Sequence, residues 1–279
     1  MIDSHHHLWN PQRGDYDWMP KDDEILYRQY AVSDLHTVAA ANGITQTVLV
    51  QAAPSVHETE YMLGIADSTP LVAGVVGWID FEDRHDRSHL ERLAQHGKLK
   101  SIRPMVQDIE DDDWLLGEDI QWAFDAITEL DLCFDALGFA KHASRFLEIF
   151  QRYPDMRAVI DHSFKPQIVD GSFEEWAADI EKLASQTGAV IKLSGLVTEA
   201  GDRANLTAMQ PYVDHVISSF GADRVMWGSD WPVCRLSMEY GDWLGLAKSM
   251  TAGLGETADT QIYSQTARQF YRLGSDAEG

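Results

Sequence analysis

The chain has almost no cysteine: Cys133 and Cys234 are the only two in 279 residues. Two isolated thiols make neither a disulfide framework nor a metal-type spacing, and this predicts a reducing, cytoplasmic setting. Long apolar runs are missing as well, none approaching the roughly 20 residues needed to span a bilayer. The N-terminus passes straight into Ile2-Asp3-Ser4-His5 without a basic-then-apolar stretch, so no secretory signal is expected. Positive charge is scarce, with 22 bases against 45 acids and a net charge of −23. So acidic a surface repels nucleic-acid phosphates and anionic membranes, which argues against both as partners and favours solubility. There is no internal repeat, no low-complexity tract and no linker rich in Pro or Gly.

What is present is an alternation. Short β-branched, apolar runs occupy positions 2–7, 47–52, 71–78, 99–103, 132–135, 158–162, 190–194 and 225–229. Several are almost continuously apolar, as parallel strands covered by helices are. The segments between them carry helix signals. Ser172 with Glu175 reads as a capping box ahead of Trp176, Ile180, Leu183 and Ala184. A stripe of Leu206, Met209, Val213, Val216 and Ile217 predicts another helix, and Val32, Leu35 and Val38 a third that stops at Asn42-Gly43. Positions 11–30 are polar and aromatic without periodicity and read as a long loop. Eight strands alternating with helices predict an α/β fold, a (β/α)8 TIM barrel, with residues 1–279 as a single domain. The rival is an open doubly wound sheet, which would want a Gly-rich phosphate loop after an early strand. None is there.

In such barrels the chemistry collects at the C-terminal strand ends. Those ends here read His5-His6-His7, Gln51, Trp78-Ile79-Asp80, Arg103, Asp135, Asp161-His162, Lys192-Leu193-Ser194 and Ser229-Asp230-Trp231. His5 and His7 are two apart in a strand and share a face, while His6 points the other way. Two imidazoles on one face can ligate a divalent metal or bond a substrate oxygen. Asp230, set among tryptophans, is expected to be partly desolvated, raised in basicity and suited to deprotonating a water. His162 could ligate a metal, donate to a carbonyl oxygen or hold that water. Arg103 offers a fork of donors for a carbonyl or carboxylate oxygen. Gln51 and Lys192 either bond substrate hydroxyls or build the barrel mouth; Asp135 either meets substrate or pairs with Arg103 or Lys192. The tryptophans Trp9, Trp18, Trp114 and Trp231 either stack on a sugar ring or pack. His36, His57, His85, His89, His96, His142 and His215 read as surface residues.

Ile2-Asp3-Ser4-His5-His6-His7-Leu8-Trp9 resembles the opening of the amidohydrolase superfamily (amidohydrolase-2 type). Val48-Leu49-Val50-Gln51-Ala52, Ile102-Arg103-Pro104-Met105-Val106-Gln107, Ile160-Asp161-His162, Lys192-Leu193-Ser194-Gly195-Leu196 and Trp227-Gly228-Ser229-Asp230-Trp231-Pro232 match its sugar-lactone hydrolase branch in order. The resemblance runs from residue 2 to about Tyr271. That branch includes enzymes opening L-fucono- and L-rhamnono-lactones, beside relatives that open aromatic-pathway lactones. Binuclear members of the superfamily carry a carboxylated lysine at strand four and a histidine at strand five. Arg103 and Asp135 stand there instead, so a two-metal centre is not supported.

The resemblance therefore implies hydrolysis of a sugar (aldono-) lactone to its aldonic acid, with an L-fucono-, L-galactono- or L-rhamnono-lactone as substrate. No cofactor is required, or one divalent cation, Zn, is bound by His5, His7 and Asp230 without being essential. Asp230 would activate the water, and Arg103 and the histidines would stabilise the oxyanion, typically about 3–4 kcal/mol per donor. Asp230 or His162 would return the proton to the leaving oxygen. The alternatives are a Zn-dependent decarboxylase on the same barrel, a hydrolase of an aromatic-pathway lactone, and a non-catalytic carbohydrate-binding barrel. A small-molecule partner is expected, and a homo-oligomer is left open.

Overall fold

Each of the eight apolar runs becomes a strand, in a computed structural model that describes residues 1–274. They are β1 (Ile2–His6), β2 (Gln46–Val50), β3 (Val72–Gly77), β4 (Leu99–Ile102), β5 (Cys133–Ala136), β6 (Arg157–Ile160), β7 (Val190–Leu193) and β8 (Val225–Trp227). All neighbours pair in parallel and in chain order. The ring closes through the segment after β8: Asp230 N–H donates to His5 O, and His7 N–H to Trp231 O, both at 2.7 Å. A parallel sheet closed on itself is a barrel, and the open-sheet rival is set aside. The barrel takes in elements from Ile2 to Phe270; positions 275–279 of the expected domain lie outside the described residues.

The helices that cover the sheet are α1 (Val32–Ala41), α2 (Val56–Ser68), α3 (Asp86–Leu93), α4 (Gln121–Glu129), α5 (Ala143–Arg152), α6 (Glu174–Gln186), the short α7 (Leu196–Ala200), α8 (Leu206–Phe220) and α9 (Tyr240–Thr251). Two short helices follow, α10 (Glu256–Thr260) and α11 (Thr266–Phe270). Local signals explain several ends. Ser55 caps α2 by accepting from Glu58 N–H at 3.0 Å, Asn205 caps α8 through Ala208 N–H, and α1 stops at Asn42 before Gly43. The expected capping box at Ser172 does not form. Helix α6 starts at Glu174 with Phe173 before it, and the Phe173 ring, packed on Trp176, Tyr212 and His215, sets the entry instead. Among the described residues no helix is long and apolar enough to cross a membrane.

The lower barrel is filled by Ile2, Val48, Val50, Val76, Cys133, Val159 and Met226, and it is closed from beneath by Ala267 and Phe270 of α11 and by Tyr271, which follows it. Each such buried aliphatic side chain contributes about 1.5–3 kcal/mol. Strand β1 carries a bulge: Asp3 pairs with Thr47 but His6 with Leu49, three residues against two. The extra residue resets the inside–outside alternation. Ile2 therefore faces the apolar floor, Asp3 turns outward to Tyr240 on α9 at 3.0 Å, and His5 faces the interior again. Without the bulge, Ile2 and His5 could not both point inward.

Candidate active site

Above the apolar floor the barrel interior turns polar, and the strand ends deliver the charges. His5 and His7 share a face as their spacing predicts, with Nε2 atoms 3.3 Å apart. Asp230, following β8, brings Oδ1 to 3.4 Å from His7 Nε2 and 3.7 Å from His5 Nε2. Two features permit this approach. Asp230 adopts a left-handed backbone, φ 57°, and Gly228 lies where a Cβ would fall 2.7 Å from His5 Cβ. Asp3 locks the junction, accepting from Ser229 N–H at 2.8 Å, Ser229 Oγ–H at 2.6 Å and His5 N–H at 3.1 Å.

His7 Nδ1 sits 2.8 Å from the Val50 carbonyl, which can only accept. Nδ1 therefore carries a proton, and Nε2 faces Asp230, donating to the carboxylate when the ring is protonated and offering a lone pair when it is neutral. His162 joins from β6, its ring centroid 4.5 Å from that of His5 and its Nδ1 2.9 Å from Ser194 Oγ. Residues 162–165 form a left-handed turn of four non-glycine residues, φ 49° to 55°. Each such residue costs about 1–2 kcal/mol, strain of the kind that clusters at functional sites. Gly195 (φ +67°) makes room for the imidazole; a Cβ there would lie 2.7 Å from His162 Nδ1.

Burial drives the His162 pKa down to about 4, so the ring is neutral near pH 7. Burial pushes the Asp230 carboxyl up, but His162, His7 and Lys165 outweigh it and hold the group below its usual value. The raised basicity expected from the sequence is thus reversed, because the imidazoles and an ammonium crowd the carboxylate.

Beneath this layer lies a buried ionic network. Lys192, fully enclosed, pairs with Asp135 at 2.5 Å and Asp161 at 2.9 Å, and reaches His5 Nδ1 at 3.1 Å. Asp135 also accepts from Ser101 Oγ–H at 2.5 Å and, at 2.7 Å, from the hydroxyl of Tyr271, the residue after α11. Of the two alternatives for Asp135, its ionic partner is Lys192. Arg103 donates from Nη1 to Asp161 at 3.1 Å and from Nη2 to the side-chain and main-chain oxygens of Gln51, while its Nε–H has no partner among the described residues. Gln51 donates back to Arg103 O at 3.1 Å. Two carboxylates balance two cations, which is the condition for keeping such charges dry.

The cleft above has a volume of about 210 Å³, and its walls include His7, Trp9, Arg103, His162, Lys165 and Asp230. Gln51, Lys192 and Asp135 lie beneath it rather than on its wall, and Trp114 lines a neighbouring cavity, its Nε1–H on Glu82 at 2.7 Å. Trp9 is held by hydrogen bonds to Leu26 O and Arg28 O. Of the histidines read as surface groups, His142 is instead fully buried under Asp112 and Phe139, because the loop after β4 folds over α5. Two residues without an assigned role turn out to be central. Asp161 adjoins His162 in sequence and could have been singled out by that signal. Glu58, whose carboxylate accepts Ala52 and Ala53 N–H at 2.6–3.2 Å just beyond Gln51, carried only the Ser55-x-x-Glu58 pattern of a helix start, which gives no hint of a place at the site.

Nitrogen and oxygen atoms of His5, His7 and Asp230 lie within 4.8 Å of one another, as do those of His5, Asp161 and His162. The first set fits a single divalent cation when both Nε2 atoms are unprotonated, which places the His5 proton on Nδ1, toward Asp161 Oδ1 at 3.6 Å rather than the Lys192 ammonium.

A sequence model of the amidohydrolase family matches residues 2–273. An L-fucono-1,5-lactonase of Burkholderia ambifaria is 40% identical over 98% of this chain and 95% of its own length. An L-fucono-1,5-lactonase of Burkholderia multivorans is 30% identical over 99% and 97%. A crystal structure of an amidohydrolase from Burkholderia multivorans, with bound Zn, superposes with a TM-score of 0.91 at 30% identity, covering 98% of this chain and 99% of that one.

Proposed function

This chain belongs to the amidohydrolase family, and from that premise we propose that it hydrolyses a sugar lactone to the aldonic acid, with an L-fucono-, L-galactono- or L-rhamnono-lactone as substrate. The observation that carries the reading is the convergence of Asp230, His7 and His162 on the wall of a cleft of about 210 Å³, with the His5 imidazole directly behind them. Two L-fucono-1,5-lactonases matched over nearly their full length support it. The reading takes residues 1–279 as one domain, in the cytoplasm, with no nucleic-acid or membrane partner.

In the proposed reaction Asp230 accepts a proton from water as its oxygen attacks the lactone carbonyl. Charge developing on the carbonyl oxygen meets the cations on the cleft wall, Arg103 and Lys165. The acyl C–O bond then breaks, and the ring oxygen takes the proton that Asp230 holds. His162, neutral near pH 7, carries no spare proton, whereas Asp230 has just taken one from the water, which favours Asp230 for this return. His162 positions water or carbonyl. A divalent cation held by His5, His7 and Asp230 would polarise the water or the carbonyl, and the proposal does not require it.

A lactone bearing two carboxylates would call for a cluster of free cations. Lys192 and Arg103 are committed to buried carboxylates and Arg235 to Glu239, which leaves Lys165. That favours a neutral lactone. A pH-indicator screen over L- and D-aldonolactones of both ring sizes tests the reading. Acid release from L-fucono- or L-galactono-lactone is expected, and silence across the panel would overturn it.

A further inference from the structure

We infer that the large cavity beside the catalytic cleft is a second sugar subsite, which takes the neutral glycosyl unit of a disaccharide lactone. The inference rests on the lactone-hydrolase reading and extends it. The cleft, at about 210 Å³, has room for one ring and its water. The neighbouring cavity, at about 700 Å³, falls within the 300–1,000 Å³ typical of complete small-molecule sites. The two meet along Trp18, Met105 and Asp108, which line both. A substrate with its reacting carbonyl at Asp230 could therefore run directly into the larger space.

The lining suits a neutral polyol. Trp18, Trp78 and Trp114 supply three indoles. The first and last have their N–H groups tied to Ala52 O and Glu82 Oε1, both at 2.7 Å, which fixes how the rings stand. Rigid aromatic faces stack on the apolar face of a pyranose at little entropic cost. Five carboxylates line it: Asp15 pairs with Arg13, Glu82 accepts from Trp114 and Asp80 from Glu82 N–H, while Asp17 and Asp108 have no side-chain partner among the described residues, and such groups accept hydroxyl hydrogens. No Lys, Arg or His lines the cavity. A carboxylate or phosphate there would be repelled, and a purely apolar group would strand desolvated acceptors. A hydroxylated ring satisfies both the faces and the acceptors.

The test compares an aldonolactone that the enzyme opens with lactones carrying a neutral hexopyranosyl group on its 2-, 3- or 4-hydroxyl. At least one of these should show kcat/KM about tenfold or more above the parent, since binding energy from remote groups serves the reacting centre. Trp78→Ala, at a residue that lines the larger cavity and not the catalytic cleft, should abolish that gain and leave the parent value unchanged, with Trp78→Phe retaining most of it. No gain for any disaccharide lactone, or an equal loss on both substrates, overturns the subsite. Silence on every lactone overturns the parent reading instead. Calorimetry with methyl glycosides then decides the subsite alone: tighter binding of the disaccharide glycoside than of the monosaccharide supports it, and equal binding overturns it.

Discussion

His7 Nε2 and Asp230 Oδ1 lie 3.4 Å apart, one at the end of the first strand and the other just beyond the last. The backbone bonds that close the barrel, His7 N–H to Trp231 O and Asp230 N–H to His5 O, also set this separation. Closing the ring and bringing these two side chains together are one structural event. The two atoms share a proton when the imidazole is charged, and can share a cation when it is neutral.

Asp230→Asn keeps the shape and removes the base. Turnover on an aldonolactone should fall by about 10²–10⁴-fold, with the far-ultraviolet circular dichroism unchanged. A variant as fast as the parent would remove Asp230 from the mechanism.

The pH profile follows from two depressed groups. With His162 at about 4 and Asp230 below its usual value, both are in their working forms near neutrality. In a pH-stat assay kcat/KM should be flat over about pH 6–8 and fall below about pH 5. A midpoint near 6.5 would mean that an unshifted imidazole governs the reaction.

Chelation separates the proposed hydrolase from a zinc-dependent decarboxylase. Elemental analysis should find at most one divalent ion per chain, and the chelated protein should keep its turnover. His7→Gln should weaken any zinc binding. Loss of activity that zinc restores would assign the metal an essential role.

Gly195→Ala places a side chain at φ +67° with its Cβ 2.7 Å from His162 Nδ1. The backbone strain alone costs about 1–2 kcal/mol. The melting temperature should drop, and kcat should fall further than the stability loss explains, because the imidazole is pushed off Ser194.

Glu58 gives a pH-dependent stability. Burial raises its pKa from 4.5 to about 7, so the folded chain keeps a proton that the unfolded chain has already lost. The Glu58 contribution is therefore most favourable below 4.5 and is lost as the pH rises through 7, about 3 kcal/mol over the window. Glu58→Gln, which cannot titrate, should show a stability deficit at pH 5 that shrinks by pH 8 in denaturant unfolding. A deficit independent of pH would contradict the raised pKa.

Much of this was legible in one dimension. Strands and helices announce themselves through local periodicity, and all eight strands were found where apolar runs lie. The strand ends bearing His5, His7, Arg103, His162 and Asp230 could be read as a set, since a barrel brings its C-terminal strand ends to one rim. The His5-x-His7 pair shares a face because alternation is a property of the strand itself. Depth was not legible. Lys192, Asp135 and Gln51 end their strands as His7 does, yet they sit below the cleft and serve one another. Position along the barrel axis depends on strand stagger and on the bulge between Asp3 and His6.

Charge state was still less accessible. Asp230 among tryptophans reads as a raised carboxyl, while the folded site lowers it. Asp161 and Glu58 gained their roles from partners that approach only when distant segments pack. The order of residues was enough for the architecture and for the chemical types gathered at its rim, because propensity and alternation act between near neighbours. Which of those groups meet substrate, which are buried as ion pairs and which hold a proton was left to the folded barrel. Coulomb interaction and desolvation depend on distance and enclosure in three dimensions, and no local pattern encodes either.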